Sequence, residues 1–593
     1  MLVSACAGPD ASRNRKNQAK PAPAPIRLTL VATNDIHGWV YPREFRLADG
    51  TPASEGGMAT FSGYLAILRR QHPNVLLLDG GDLFQGTLPS NLGEGAVVID
   101  AMNHLGYAAA ALGNHEFDYG PVGPSPVAVR PDQDPFGALK ARIQQARFPI
   151  LAVNVQEAAT GAHPGWLGND GTRMMEVAGL KVGILGLATP HTPSVTNPVN
   201  VATLRFTSLA EEATTAAAAL RARGAVVVIA VMHAGGRCGK WDNPRDLSSC
   251  DPANGEIFGM FDALPEGTLD AVVAGHTHAP MGHFIKGTPV VETPGLGRSF
   301  SMIELVVDPV RGQVLRDQTR ITPVVPICAT VDATLGTCDS RQLHDHPGVK
   351  LVPATFLGEP VVVDAVLETL MAPAQAHAQA LQQRPLGVSV PKRLTRNYEG
   401  ESPLGLMLAD TLREHEKADL AILNPGGLRA DLAAGELTYG DVFEVLPFDN
   451  TVATVSLTGT QLVSLFKTVY GARKGVFQVS GARLRLARCK GPDRLLEFVL
   501  EPSGKPPRPN QTYRVVMPDF LARGGDGLGP FLQTLPPGAI DLGEAREDNF
   551  RDVIVNRFVA RKSQVVAPKM GRIVIEKGSG GDCANLSGTD GDH

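Results

Sequence analysis

The sequence predicts an α/β fold, because short apolar runs alternate with segments of helical periodicity. Several of these runs end at Gly, Asn or Asp. Asp, Asn and His, whose side chains can bind metal ions, follow these runs directly. Ligands of open α/β sheets collect beyond the carboxyl ends of the strands. We therefore expect the polar side chains that follow the runs to meet at one edge of the sheet.

Composition narrows the class of protein. The 593 residues exceed the size of a single core, and a hydrophobic content of 43% with 19% charged residues is typical of globular proteins. A net charge of -5 gives no general positive field for binding nucleic acid. No apolar run approaches the roughly 18 residues of a membrane helix.

Strand ends with metal-type residues are concentrated in the first half of the chain. Strands are predicted at 26–33, 75–79, 108–112, 148–153, 180–187, 225–232 and 269–274, and helices at 57–70, 96–105 and 208–223. The polar side chains that follow the strands are Asp35, His37, Asp82, Asn114, His233, His276 and His278. Their repeated occurrence at Gly-bounded strand ends favours one reaction centre over unrelated surface residues. We interpret His104, His191 and His283 as ordinary surface or core residues.

The segment 113–118, Gly-Asn-His-Glu-Phe-Asp, is the most informative of these strand ends. It supplies a metal-type ligand, Asn114, and a His115–Asp118 pair at a single strand end. The alternative is a capped turn between strand and helix, which Asn and Asp also favour.

Together these motifs, DxH, GD, GNHExxD, H and GHTH, resemble the calcineurin-like metallophosphatase superfamily. More narrowly, the chain resembles the bacterial 5'-nucleotidase and UDP-sugar hydrolase family from residue 26 to about residue 575. The resemblance implies a four-layered αββα sandwich domain, a smaller α/β C-terminal domain and two divalent metal ions. Asp82 would bridge the ions; Asp35, His37 and His278 would hold one, and Asn114, His233 and His276 the other.

Elementary chemistry agrees with these implied roles. Two metals about 3.5 to 4 Å apart neutralise phosphate charge and lower the pKa of a bound water. Mixed imidazole, carboxylate and amide ligands suit Zn, Mn or Fe better than an all-oxygen Mg or Ca site. Some family members carry Gln at the position of His278, which affects the metal preference expected there. His115 would donate a proton to the substrate, and Asp118 would orient it.

The sequence pattern changes after about residue 350. A helix at 361–383 is predicted to link two domains, although a plain surface helix is an alternative. The predicted organisation is a spacer at 1–25, a metallophosphatase domain at 26–350, a linker at 351–385, a 5'-nucleotidase C-terminal domain at 386–575 and a disordered tail at 576–593.

Loops rich in Gly, Pro and Asp supply the predicted substrate site of the C-terminal domain. The resemblance assigns base stacking to Phe448 and Phe520 and the ribose hydroxyls to Asp526, whereas the two rings taken alone would more often be core residues. The other predicted substrate-binding residues are Asn424, Arg429 and Asn450. Leu406 stands where family members usually carry Asn or Arg, and Arg393 and Arg396 lie out of register with the family's upstream arginine. Phosphate recognition is therefore expected to differ.

The cysteines and the N-terminus indicate an exported protein. Residues 2–6, Leu-Val-Ser-Ala-Cys, resemble a lipobox, so a lipid anchor at Cys6 and a start upstream of Met1 are expected; an incidental cysteine is the alternative. Two pairs of cysteines lie close together in sequence, Cys238/Cys250 and Cys328/Cys338. Their spacing predicts disulfides, and disulfides indicate an oxidising compartment. Cys489 and Cys583 form a weaker third pair, and no CxxC zinc motif is present.

The predicted activity is hydrolysis of extracytoplasmic nucleoside 5'-monophosphates to nucleoside and phosphate. Alternatives within the same fold are UDP-sugar hydrolysis, nucleoside di- or triphosphate hydrolysis and 2',3'-cyclic nucleotide phosphodiesterase activity. A nucleotide-binding surface protein without activity is the alternative from another class. The expected partner is a nucleotide, with no nucleic acid and no membrane contact beyond the anchor.

Overall fold

The computed structural model describes residues 24–577 apart from 73, 124, 129, 254, 345, 347, 472–474, 489–492, 544–548, 562 and 563. Cys6, Cys489, Cys583, most of the 1–25 spacer and nearly all of the 576–593 tail lie outside these residues. Within them, no helix has the length and apolar character needed to cross a membrane. The disulfides Cys238–Cys250 and Cys328–Cys338 are formed, as predicted.

The N-terminal domain is built on two mixed sheets that face each other. The first sheet runs, in spatial order, Gln313–Val314, Ser299–Asp308, Ile26–Thr33, Val75–Asp79, Ala109–Ala111 and Ile150–Leu151, with Arg320–Pro326 also paired to Ser299–Asp308. The second runs Met281–Ile285, Thr288–Glu292, Ala271–Val273, Val227–His233, Leu180–Ala188 and Thr172–Val177. Apolar residues from the inner faces of both sheets, such as Leu30 and Ile184, form a continuous core between them.

Helices cover the outer face of each sheet. Met58–Gln71, Ala96–Leu105 and Gly137–Gln145 contribute to the core outside the first sheet, and Leu209–Ala222 and Glu256–Ala263 to the core outside the second. The domain is therefore the four-layered αββα sandwich expected from the resemblance. Burial of both faces explains why the central strands are continuous apolar runs rather than alternating ones.

The C-terminal domain has a smaller mixed sheet, which runs Gln478–Ser480, Leu420–Leu423, Thr512–Pro518, Val452–Thr458 and Ile540–Asp541. The helices Pro403–Glu416, Tyr439–Val445 and Phe550–Arg561 contribute to one core of this domain. The helix Gly459–Gly471 contributes to another, together with the sheet Arg494–Leu500, Ala482–Arg488 and Ile573–Lys577. The pair Pro385–Val390 and Gly435–Thr438 completes this α/β unit.

The helix predicted at 361–383 is shorter and spans Ala365–Gln382. It begins late because Asp364 is its N-cap and accepts hydrogen bonds from the amides of Val366 and Leu367. Leu367 and Met371 pack into the N-terminal core, whereas Ala378 packs into a C-terminal core. The helix thus packs into cores of both domains.

Candidate active site

The candidate metal ligands converge because strands of both sheets deliver them to the same end of the sandwich. Three parallel neighbouring strands of the first sheet carry such residues at their ends: Ile26–Thr33, Val75–Asp79 and Ala109–Ala111. In the second sheet the parallel neighbours are Val227–His233 and Ala271–Val273. Ligand atoms of Asp35, His37 and His278 lie within 4.8 Å of one another, and so do those of Asp82, His233 and His276.

Asp82 lies between the two groups. Its Oδ2 is 3.1 Å from His233 Nε2 and 3.6 Å from His37 Nε2, so a single carboxylate reaches a histidine of each group. The side chain of Asn114 joins the second group, with Oδ1 3.1 Å from His233 Nε2. The structure thus brings together all seven residues predicted as ligands.

Backbone carbonyls fix the orientation of two of the histidines. His37 Nδ1 lies 2.7 Å from the carbonyl oxygen of Gln85, and His233 Nδ1 lies 2.9 Å from that of Gly80. Each ring therefore turns its Nε2 atom toward the carboxylates. Hydrogen bonding of one ring nitrogen to a carbonyl is the usual way in which proteins orient a metal-binding histidine.

An unusual backbone conformation is concentrated at these positions. Asp35, His37, Asp82, His276 and His278 all have φ between 49° and 80°, in the left-handed region. Non-glycine residues adopt this region uncommonly, and such strain clusters at functional sites.

Two buried glutamates hold the loops that carry the ligands. Glu116 accepts hydrogen bonds from the amides of Gly113, Asp82 and Leu83, and it thereby joins two strand ends. Glu292 accepts from the amide and hydroxyl of Thr277, in the middle of the GHTH motif. Burial, followed by the nearby charge of Asp82, raises the pKa of Glu116 to about 8.

The electrostatics of the site fit bound cations. Burial raises the pKa of Asp35 to about 6, and burial also lowers the pKa of His37 and His278 well below the ordinary value, which keeps both rings neutral. Burial opposes a charge on His233, but Asp82 raises the pKa of that ring to about 10. A proton on His233 and a divalent cation neutralise the same buried carboxylates, so metal binding would release that proton. The donor set and its buried negative charge therefore fit divalent metal ions.

His115 and Asp118 form a hydrogen-bonded pair beside the ligand cluster. His115 Nδ1 is 2.5 Å from Asp118 Oδ2, whereas its Nε2 is 4.0 Å from the nearest Asp82 oxygen. Burial opposes a charge on His115, but Asp118 and Asp82 raise its pKa. The ring is thus oriented by one carboxylate and poised to hold a proton.

Thr196 is a member of this arrangement that the sequence did not reveal. Its hydroxyl donates a 2.6 Å hydrogen bond to Asp118 Oδ1, and the residue is buried. The neighbouring Val195 carbonyl accepts from Asn114 Nδ2 at 3.2 Å. This segment follows a strand of the second sheet and carries no motif, so no local signal indicated its role.

Residues of the C-terminal domain reach the same centre. Arg429 Nη2 is 3.1 Å from His37 Nε2, and the ring of Phe448 stacks on His115 with centroids 5.5 Å apart. The guanidinium of Arg429 also lies 5.8 Å from the centre of the Phe448 ring. The first two contacts cross a cleft of about 2880 Å³ between the domains.

The remaining predicted substrate residues line this cleft. They are Asn424, Asn450, Phe520 and Asp526. Asn424 precedes the turn Pro425–Gly427, and Asp526 is held at φ 51° in the turn Gly525–Gly527. Phe520 is only partly a cleft residue, because its ring also packs against Gly525 and a C-terminal core.

The departures from the family pattern have structural explanations. Leu406 is fully buried in the helix Pro403–Glu416 and so belongs to the core. Arg396 lines the cleft and donates from Nη1 to the carbonyl of Leu428, next to Arg429. Arg393 is paired with Asp431 at 2.6 Å. An arginine out of register in sequence therefore still lines the cleft beside Arg429.

Comparison with known proteins agrees with this geometry. Residues 28–280 match the family model of calcineurin-like phosphoesterases, and residues 378–534 match that of the 5'-nucleotidase C-terminal domain. The chain belongs to the 5'-nucleotidase family of calcineurin-like phosphoesterases. It is therefore a metal-dependent phosphoric ester hydrolase that acts on nucleotides.

Relatives cover nearly the whole chain. A 5'-nucleotidase of Vibrio cholerae is 26% identical over 577 residues, which cover 90% of this chain and 92% of that protein. Protein UshA of Escherichia coli is 25% identical over 549 residues, which cover 87% and 88%. The crystal structure of a 5'-nucleotidase precursor from Thermus thermophilus superposes with a TM-score of 0.72 at 25% identity, covering 93% of this chain and 99% of that one. Both domains of this family member thus have counterparts in its relatives.

Proposed function

We propose that this phosphoesterase hydrolyses nucleoside 5'-monophosphates to nucleoside and phosphate. One observation carries the proposal: Arg429 and Phe448 of the C-terminal domain contact His37 and His115 of the predicted reaction centre. A cation suited to phosphate and an aromatic face suited to a base therefore lie side by side at one site.

Two divalent ions are proposed to occupy the ligand cluster, with zinc and manganese as the best candidates by donor type. Asp35, His37 and His278 would hold one ion, and Asn114, His233 and His276 the other, with Asp82 shared. When bound, such ions neutralise the phosphate charge and lower the pKa of the attacking water.

The chain's own side chains would complete the reaction. As the water oxygen bonds to phosphorus and the bond from phosphorus to O5' breaks, His115 supplies the proton that the departing oxygen requires. Asp118 keeps the ring in position and stabilises its charged form. Arg429 would bind a phosphate oxygen, a role for which its half-buried guanidinium at the cleft is suited.

The remaining predicted residues would select the nucleotide. Phe448 and Phe520 offer faces on which a base can stack, and Asp526 offers acceptors for the ribose hydroxyls. Asn424 and Asn450 would bind the base or the sugar. Because none of these groups takes part in the bond exchange, they would set substrate choice rather than chemistry.

The size of the cleft favours a second candidate activity. At about 2880 Å³ it exceeds the roughly 300 to 1,000 Å³ typical of small-molecule sites. This leaves room for a UDP-sugar or a nucleoside di- or triphosphate, whereas a 2',3'-cyclic nucleotide would need no additional space. A purely nucleotide-binding protein would have no use for the His115–Asp118 pair.

An exported location is proposed as well. The two disulfides require an oxidising compartment to persist. The lipobox-like residues 2–6 would then provide a lipid anchor at Cys6 in the cell envelope or periplasm.

One assay tests the activity. Phosphate release is measured with AMP, ADP, ATP, UDP-glucose and 2',3'-cyclic AMP, using metal-stripped protein and protein reloaded with Zn or Mn. We expect the highest kcat/KM for AMP and no turnover without metal. A higher kcat/KM for UDP-glucose or ATP would replace the proposed substrate by the second candidate.

A further inference from the structure

Two amide side chains of the N-terminal domain converge on one carbonyl of the C-terminal domain. Asn91 Nδ2 donates to the carbonyl oxygen of Pro447 at 3.1 Å, and Gln85 Nε2 donates to the same atom at 3.4 Å. Pro447 immediately precedes Phe448, whose ring stacks on His115. The position of that ring is therefore tied to the N-terminal domain through the peptide before it.

Further hydrogen bonds hold the N-terminal side of this contact. Asn91 Oδ1 accepts from the amide of Gly86 at 2.9 Å and lies 2.9 Å from the Tyr119 hydroxyl, which fixes the side-chain amide. Gln85 is buried, and its own carbonyl oxygen holds His37 Nδ1 at 2.7 Å. The same short segment thus contacts a predicted metal ligand and the loop that carries Phe448.

Apolar packing reinforces the contact. Leu88, in the helix Leu88–Asn91, is buried in a core cluster otherwise formed by residues of the linker helix and the C-terminal domain. On the far side of the Phe448 loop, Arg551 donates to the carbonyl of Leu446 at 3.0 Å. The loop is therefore held from both domains, and the hydrogen bonds from Asn91 and Gln85 of the N-terminal domain reach it at Pro447.

We infer that Asn91, assisted by Gln85, is a positioning residue that fixes Phe448 for recognition of the nucleotide base. Neither amide touches the reaction centre, so both act through the aromatic ring. The inference rests on the proposed base-stacking role of Phe448. It assigns a specificity function to a segment in which no metal ligand and no substrate-binding residue was predicted.

Asn91→Asp is the discriminating variant. The carboxylate keeps the acceptor oxygen that Gly86 and Tyr119 use, but it removes the donor that Pro447 requires. Asn103→Asp is a matched control, because Asn103 likewise donates to a carbonyl, that of Gln145, and accepts from an amide, that of Arg147, within the N-terminal domain. Gln85→Glu is the second variant if Asn91→Asp does not fold.

The experiment compares kcat/KM for AMP with kcat/KM for p-nitrophenyl phosphate, which has no nucleoside, in the metal-loaded full chain. Loss of a neutral hydrogen bond corresponds to about a two- to tenfold change. We expect Asn91→Asp to lower the AMP-to-nitrophenyl ratio by about that factor and Asn103→Asp to leave it unchanged. In a Phe448→Ala background, Asn91→Asp should lower the ratio no further.

The results that would contradict these expectations fall into two groups with different conclusions. An unchanged ratio in Asn91→Asp, equal losses for both substrates, or effects that multiply with those of Phe448→Ala would overturn the positioning role. If Phe448→Ala itself leaves the ratio unchanged, the base-stacking role under the proposed function fails, and the inference fails with it. The first group of results leaves the proposed function intact, so the two failures are distinguishable.

Discussion

Thr196 Oγ1 donates a 2.6 Å hydrogen bond to Asp118 Oδ1, across 78 positions of sequence. Because Asp118 uses its other oxygen for His115, this threonine fixes the carboxylate that orients the histidine. The hydroxyl comes from a loop of the second sheet, whereas His115 and Asp118 follow a strand of the first. The two sheets therefore cooperate in positioning the proposed proton donor as well as the metal ligands.

Thr196→Val should lower kcat for AMP and leave KM and metal content nearly unchanged. A hydrogen bond to a charged group contributes about 1.5 to 3 kcal/mol, or about 10- to 150-fold in rate if the whole effect falls on the transition state. Thr196→Ser retains the hydroxyl and should recover most of the activity. An unchanged kcat in Thr196→Val would show that the hydroxyl does not position Asp118 for catalysis.

Asp82→Asn should lose metal and activity together, because Asp82 is the carboxylate that reaches both groups of ligands. His115→Ala should retain both metals and lose about a hundredfold to ten-thousandfold in kcat, the usual contribution of a general acid or base. Elemental analysis of the purified variants and steady-state kinetics measure the two effects separately. Metal loss in His115→Ala would show that His115 is a ligand.

Local sequence was sufficient to predict the bounds of some strands, but it did not determine how far each strand pairs with its neighbour. Ile26–Thr33 and Val75–Asp79 have the bounds predicted from the sequence. The predicted strand at 148–153 pairs only over Ile150–Leu151, since pairing depends on the neighbouring strand and not on the run itself. Propensity describes a segment, whereas strand length is set by its partner.

The candidate site also has features that local sequence predicts and features that it does not. Its candidate ligands were identified because each follows a predicted strand end, and the structure places them close together. The left-handed backbone at His276 and Asp82 was not predictable, since tertiary contacts impose it against local preference. Thr196 and Asn91 were not predicted either, because their partners Asp118 and Pro447 are distant in sequence and neither lies in a motif.

Acid should weaken the anchoring of the linker helix through Asp364. Burial opposes its charge, but hydrogen bonds from Ser62 and His104 and from the helix amides lower its pKa to about 2. A depressed folded-state pKa stabilises the fold above the unfolded value near 3.8, and this stabilisation is lost as the pH falls from there through about 2. Urea unfolding should show Asp364→Asn destabilised at pH 7, with the difference from wild type shrinking by pH 2. A difference independent of pH would assign the effect to helix capping by neutral groups.

Phe448→Ala and Phe520→Ala test whether the C-terminal domain selects the nucleotide. Stacking of a base on an aromatic ring contributes about 1 to 3 kcal/mol, or about five- to more than a hundredfold in binding. KM for AMP should rise by such a factor in each variant, whereas p-nitrophenyl phosphate, which has no base, should be hydrolysed almost as before.

The two variants should also differ from each other, because the rings have different surroundings. Phe448 faces His115, but Phe520 packs partly against Gly525 and a C-terminal core. Phe520→Ala should therefore lower the melting temperature as well, through the cavity left in that core. Thermal unfolding of both variants beside their kinetics separates the two contributions. Equal losses on AMP and p-nitrophenyl phosphate in both variants would mean that the rings are structural, and selection of the base would then have to come from Asn424, Asn450 and Asp526.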